Sequence, residues 1–477
     1  TVVRNMDLFN VDVVTALEDL SERTPSEQFS TFAENFASVL QSGGDVSEFL
    51  SEQYERYREE AEDQQAEMLN LLATTAEVYV TVVVAGILFL ITILLIIGLT
   101  VGDTLLAMRV IAYAVLPATN LLFLGYLLDV TQPLRAGTDR AQESDSTSSE
   151  TSKGPMAQPD GGYARPESAA NHGRLLAYRR LRSVRETLAS PIASVVDRPV
   201  RLLYVTVPIA LLVTGLRLPT AIAGGSVDVE ALDDLLVQAT LLLTGTFAVA
   251  YEYSKRRLRR LEDAVPDLLE RLASLNEAGI AMVSSFDRIR GSDIGALDPE
   301  IDRIWRDMNW GATAEKALSR FESRVRTPSV TRVVALITNA MRASNEIGPV
   351  LRIAARQVRS DLSLRKQRRQ EMFTYLVVIY VSFLVFLVVI VTLDQVLIPS
   401  LPDASAVDGA PATGLPEIGT SDVDRAAYQQ VFFHTALVQS VVSGLVGGVM
   451  GNGSVKDGMK HATAMLAVTY LVLVVLA

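Results

Sequence analysis

Residues 78–101 read VYVTVVVAGILFLITILLIIGLTV, a run with no charged side chain. A helix needs about 20 mostly apolar residues to cross the hydrocarbon core of a bilayer. In lipid the backbone polar groups must bond within the helix itself. The stretch therefore predicts a membrane-spanning helix and rules out a soluble fold for this part of the chain. Working outward, six more stretches qualify, near 105–128, 201–223, 231–253, 373–398, 428–450 and 459–477. The third is the weakest, since it carries Pro208, Arg217 and Pro219.

Basic residues orient these spans, because cytoplasmic loops carry the excess of Lys and Arg. Arg174, Arg179, Arg180, Arg182 and Arg185 precede the third span. Lys255, Arg256, Arg257, Arg259 and Arg260 follow the fourth, and Arg365, Lys366, Arg368 and Arg369 precede the fifth. With seven spans all three clusters fall on one side. Residues 1–77, 129–200 and 254–372 are then expected to be cytoplasmic, and the acidic loop 399–427 external, in a multi-pass protein of the cell membrane. Residues 136–170, rich in Ser, Thr, Gly, Pro and acids, read as a disordered linker. A basic juxtamembrane helix follows that linker.

Self-comparison reveals an internal repeat at an offset of 301 residues. Ala16-Leu17 falls on Ala317-Leu318, Arg23 on Arg324, and Arg58 on Arg359. Ser42 to Leu50 falls on Ala343 to Leu351, and Val78-Tyr-Val-Thr81 on Ile379-Tyr-Val-Ser382. Thr24-Pro25 matches Thr327-Pro328 only after a two-residue shift. Thr24 with Pro25 and Glu27 reads as a capping box opening a helix. Phe29, Phe32, Phe36, Val39 and Leu40 then share one face. In the second copy Val330, Val333, Val334, Ile337 and Met341 do the same. Each helix ends at a small polar turn, Ser42-Gly43-Gly44 or Ser344-Asn345. A long helix follows; from Val46 to Glu77 it would measure about 48 Å at 1.5 Å per residue.

The second copy has more helices upstream. Pro266 is expected to open one that ends at Gly279, and Asp298-Pro299 to cap another that ends near Trp310-Gly311. By the register of the repeat, roughly 40 or more residues of the first copy would lie upstream of Thr1. The copies differ in charge: residues 1–77 hold 17 acids and 4 bases, residues 254–372 hold 16 acids and 23 bases. The domain plan is a first repeat at 1–77, spans at 78–128, and a linker with basic helix at 129–200. Spans at 201–253, the second bundle at 254–372 and the last spans at 373–477 complete it.

Chemistry is sparse. The chain has no cysteine and three histidines, so thiolate or histidine-rich metal sites are not expected. A formal charge of −12 argues against a nucleic-acid partner. No phosphate-binding G-x-x-x-x-G-K-[ST], H-E-x-x-H or G-x-S-x-G is present. Asp103 follows Gly102 without the further glycine of an intramembrane aspartyl peptidase, and reads as a loop acid. Ser443-Gly444 with His434 suggests a serine hydrolase only faintly. A transporter needs paired ionisable groups at the midplane. Asp233, Asp234, Asp394 and His434 all sit near span ends, leaving the span centres bare. Ser440, Gly444, Gly447, Gly448 and Gly451 form a small-residue surface suited to close helix packing. No catalytic residue, metal or cofactor is expected.

The sum is an all-α polytopic membrane protein with about seven transmembrane helices and two repeated cytoplasmic helical bundles. That layout resembles the type II secretion system F-domain family, in particular archaeal type IV pilus and archaellum platform proteins, and is similar to tight-adherence platforms. The resemblance rests on Leu261-Glu-Asp-Ala-Val-Pro-Asp-Leu-Leu, Glu277-Ala-Gly-Ile280, Gly311 to Leu318 and Ser344 to Leu351 with the helix into span five. The first copy matches from about Asn10 to Val101. Two departures stand out: the first copy is short, and Asn345-Glu346 replaces the glycine-rich turn of Gly43-Gly44. The resemblance implies an inner-membrane platform and not an enzyme. It would work, as a homo-oligomer in lipid, with a hexameric secretion ATPase and pilin-like subunits. Arg342, Glu346, Arg352 and Arg356, around the second turn, are the candidates for ATPase contact; the alternative is a solvated helix face.

Overall fold

The computed structural model describes residues 12–100, 104–132, 199–222, 229–343, 347–398 and 425–476. The linker 136–170, the basic stretch 174–185, Asp103, the turn 344–346 and residues 399–424 of the acidic loop lie outside them. Among the described residues every regular element is a helix. The chain divides into two compact units, Thr1–Leu72 and Ala73–Ala477.

In the first unit, α1 (Val13–Arg23) and α2 (Glu27–Ser42) pack together, and α3 (Val46–Val78) begins. Ser26, not Thr24, caps α2: its hydroxyl accepts from the Phe29 amide at 3.4 Å. The capping box at Thr24 is therefore corrected, because the helix starts two residues later than the Thr-Pro pair suggests. Gly43 closes α2 in the left-handed conformation at φ 72°, and the Gly44 amide reaches the Val39 carbonyl at 3.0 Å. This is the glycine stop that orphan carbonyls at a helix end favour.

In the second unit the membrane-type helices are α4 (Gly86–Thr100), α5 (Leu105–Val110), α6 (Leu116–Val130), α7 (Leu203–Ile222) and α8 (Val229–Glu277). A bundle follows with α9 (Met282–Ile289), α10 (Asp298–Asn309), α11 (Ala314–Val325), α12 (Pro328–Ala343) and α13 (Gly348–Thr392). Finally come α14 (Arg425–Asn452) and α15 (Val455–Leu476). π-Helical turns at Tyr79–Ala85, Ile111–Val115 and Leu393–Leu397 interrupt three of the apolar stretches.

Five helices among the described residues are long and apolar enough to cross a membrane: Val46–Gly98, Leu105–Val130, Ala231–Glu277, Gly348–Leu397 and Arg425–Asn452. The third expected span shortens to the apolar helix Leu203–Pro219, and Val455–Leu476 is not among the five. Pro266 does not open a helix; it lies inside α8, which runs on from the apolar segment through the proline to Glu277. Asp298 does not cap α10 either. It occupies the first turn and accepts from the Ile294 amide behind it at 3.0 Å.

The offset of 301 holds element by element. The caps Asp12 and Thr313, and then Ser26 and Thr327, occupy equivalent positions, and α2 and α12 each have 16 residues. No two-residue shift is needed once Ser26 is recognised as the cap. Packing differs. Val330, Val333, Val334 and Ile337 are buried in a core that includes Leu261, Val265, Leu268, Leu269 and Leu272 of α8. In the first unit Ala33 and Ala37 are the buried residues of α2, and Phe29 is 44% exposed. Phe32, Phe36 and Phe49 stack on one another at 5.7–6.0 Å.

Candidate functional site

Antiparallel packing of α8 against α13 builds the charged seam of the second bundle. Arg352 bonds Glu277, with Nε to Oε1 at 3.0 Å. About two turns along, Arg359 reaches Glu270 at 2.7 Å and Asp267 at 3.2 Å. Arg365 then approaches Glu262 at 3.5 Å. Hydrogen bonding to Glu277 and to Glu270 raises the guanidinium pKa of Arg352 and Arg359 above the ordinary arginine value. Elsewhere on the bundle, Arg342 donates two bonds to Glu315 at 3.1 and 3.3 Å. Those bonds hold the Glu315 carboxyl below the usual carboxylate range. Glu300, almost fully buried, takes Arg303 at 2.6 Å and Arg324 at 2.8 Å.

The four residues singled out around the second turn are thus placed differently. Arg342 and Arg352 are engaged within the bundle by Glu315 and Glu277. Arg356 is exposed, with no hydrogen bond or ion pair among the described residues. Glu346 lies outside the described residues.

The apolar helices carry a buried polar network that a search for ionisable pairs does not anticipate. Tyr79, at the start of a π turn, is fully buried; its hydroxyl lies 3.2 Å from Asn120 Oδ1 and 3.0 Å from Ser443 Oγ. Gln439 donates to Ser443 Oγ at 3.0 Å and to the Tyr79 hydroxyl at 3.4 Å, and accepts from Asn120 at 3.3 Å. These four residues come from three chain segments, so no local motif announces them. Ser443 is committed to this knot. His434 is bonded elsewhere, to Tyr113 at 2.6 Å and Asp233 at 2.9 Å. The structure therefore does not pair Ser443 with His434.

Tyr380, the repeat equivalent of Tyr79, bonds His461 Nδ1 at 2.9 Å. Ser443 and His461 adjoin a close approach of α14 to α15 at Gly444 and Ala462. A Cβ added at Gly444 would stand 2.2 Å from the Ala462 Cα, and one at Gly448 2.0 Å from the Gly458 Cα. A Cβ added at Gly447 would stand 2.9 Å from Leu376 Cδ1 of α13, one at Gly451 would meet open space, and Ser440 is buried. Two equivalent tyrosines, one from each repeat, therefore hold the same hairpin, α14–α15, at one level. Among the described residues no group of three or more His, Cys, Asp or Glu side chains could hold a metal ion.

The sequence profile of protein F of the type II secretion system matches residues 6–94 and 268–393. The second match begins earlier in the 301-residue register, taking in the end of α8 with α9 and α10. An uncharacterised protein of Methanocaldococcus jannaschii is 22% identical over 203 residues, which is 41% of this chain and 32% of that protein. The chain thus spans about a third of that relative's length. No solved structure matches. The chain carries the type II secretion system protein F domain in two segments, in a helical setting with several membrane-type helices. Proteins of this family are membrane platforms for secretion and pilus assembly.

Proposed function

We propose that this chain is the cell-membrane platform of a type IV pilus-like or archaellum assembly machine. Its bundles face the cytoplasm, where a hexameric secretion ATPase docks on residues 254–372. The phosphate-binding loop is supplied by that other polypeptide, since this chain has none. Arg356 of α13, together with Glu346, is the contact proposed for it. Pilin-like subunits, with apolar N-terminal helices, leave the membrane beside the spans.

One observation carries the reading. Tyr79 and Tyr380, at equivalent places in the two repeats, are both bonded to the α14–α15 hairpin. Motion imposed on the second bundle through α13 reaches that hairpin, and through it the helix of the first repeat. Discrete, close-packed contacts of this kind transmit displacement because packed interiors do not deform continuously.

Clean deletion of the gene tests the reading. Loss of surface filaments, restored by the intact gene, is the expected result; normal filaments in a strain with no second copy would contradict it. The polar knot of Tyr79, Asn120, Gln439 and Ser443 supports a second reading, a secondary transporter. Its groups bond one another, which favours a structural role. Substrate-dependent flux in vesicles holding the purified protein would revive it.

A further inference from the structure

The α8–α13 seam is an ion-pair ladder with a last rung that does not fit. Three rungs pair an arginine of α13 with a carboxylate of α8: Arg352 with Glu277, Arg359 with Glu270 and Asp267, Arg365 with Glu262. The helices run antiparallel, so each step up α13 is a step down α8. By the register of the rungs Arg368 comes level with Arg259 (an arginine in place of a carboxylate), and Arg259 acts on Arg369 as a like charge. Arg259 and Arg368 are half-buried. Among the described residues none of the three has a hydrogen bond or ion pair to a carboxylate. Asp263, Glu252 and Asp457 act on Arg369 only as more distant charges. Burial, and then the like charges of Arg365 and Arg369, push the Arg368 guanidinium below its ordinary value, opposite to Arg352 and Arg359.

The place of this rung matters. Phe373, four residues beyond Arg369, is exposed and opens the apolar part of α13. The unmatched rung therefore sits where a lipid headgroup would lie. Like charges brought together and partly desolvated require a counter-ion. Arginine's planar fork suits phosphate oxygens. On the long helix of the first repeat the equivalents of Arg365, Arg368 and Arg369 carry no positive charge: they are Gln64, Glu67 and Met68.

We propose that Arg259, Arg368 and Arg369 form a binding site for the phosphate of an anionic phospholipid headgroup, which completes the α8–α13 ladder at the membrane surface. The site anchors the second repeat to anionic lipid. It requires only that this rung meet the headgroup layer, and so does not depend on the platform reading.

The test uses the full-length protein in nanodiscs of phosphatidylcholine alone or with phosphatidylglycerol. Native mass spectrometry reads retained lipid, and thermal unfolding reads stability. The wild-type chain should retain phosphatidylglycerol over phosphatidylcholine and melt higher in its presence. R368Q/R369Q should reduce that preference by roughly fivefold for each cation removed. R259E is decisive, because it supplies the missing carboxylate from α8. It should melt in phosphatidylcholine as high as the wild type does with phosphatidylglycerol, and lose the lipid preference. A wild-type chain indifferent to phosphatidylglycerol overturns the proposal, as does an R259E chain that keeps the full preference. Inorganic phosphate added to phosphatidylcholine nanodiscs separates the sources. If it reproduces the stabilisation, the ligand is a free anion and the lipid assignment fails.

Discussion

The two repeats contain the same helices in the same order but are covered differently. In the second, α12 is roofed by α8, α9 and α10, and its apolar positions are buried. In the first, no described residue of the unit provides that roof, and the phenylalanines of α2 stay partly exposed. The described parts of the two repeats share caps and helix lengths, while burial follows the neighbours each described helix has. Caps are local, satisfied by one hydroxyl and one amide. Burial depends on what else is present.

Paired substitutions at equivalent positions sharpen this contrast. Ile337→Ala empties a buried site in α12 and should cost about 2–5 kcal/mol. Its equivalent, Phe36→Ala, removes a larger but partly exposed side chain and should cost clearly less. Hydrogen exchange of the α12 and α2 amides reads the two separately. Equal deprotection of both helices would break the comparison.

Arg324 and Arg23 form the next pair. Arg324→Gln withdraws a charge from the buried Glu300 and should cost about 2–3 kcal/mol. Arg23 meets Asp19 on an exposed helix face at 2.8 Å, and Arg23→Gln should stay within about 0.5 kcal/mol. Thermal unfolding of the intact chain in detergent measures both.

The two tyrosines follow. Tyr79→Phe leaves Ser443, Asn120 and Gln439 short of a partner in a fully buried site, at about 1–3 kcal/mol. Tyr380→Phe removes one bond from a less buried hydroxyl, at about 1 kcal/mol. Both should weaken filament assembly if the hairpin transmits motion. A Tyr380→Phe protein that unfolds earlier than Tyr79→Phe would reverse the predicted order.

The smallest effect is electrostatic. Glu315 is held below the usual carboxylate range by its bonds to Arg342. Its contribution to stability is present above the ordinary carboxylate range and lost as pH falls through the depressed folded value. Both side chains are solvent-facing, so Arg342→Gln should only slightly flatten the acid limb of a stability–pH profile. The first repeat has Val14 and Gln41 at these places and should lack that component.

Much of the fold is legible in the sequence, for physical reasons that also mark the limit. The apolar run 78–101 and the helical stripes of both repeats are local patterns, and local patterns translate directly into helices. Choosing Ser26 over Thr24 as a cap is beyond local propensity, since both are good caps two residues apart. The register with Thr327 decides it. Pro266 misleads because an interior proline, though it removes a backbone bond, is carried here by an apolar stripe buried on both sides of it. The membrane knot is invisible in sequence: Tyr79, Asn120 and Ser443 meet only because three helices pack there. The lipid-facing rung required the ladder first, because a run of arginines before a span is ordinary until their partners are known.

The platform assignment is tested most directly by recovering the full chain, carrying an affinity tag, from native membranes under mild detergent. The account predicts that a hexameric ATPase with a phosphate-binding loop co-purifies and that Arg356→Glu diminishes its recovery. Recovery of the intact chain without any such ATPase, from cells that are assembling filaments, would contradict it.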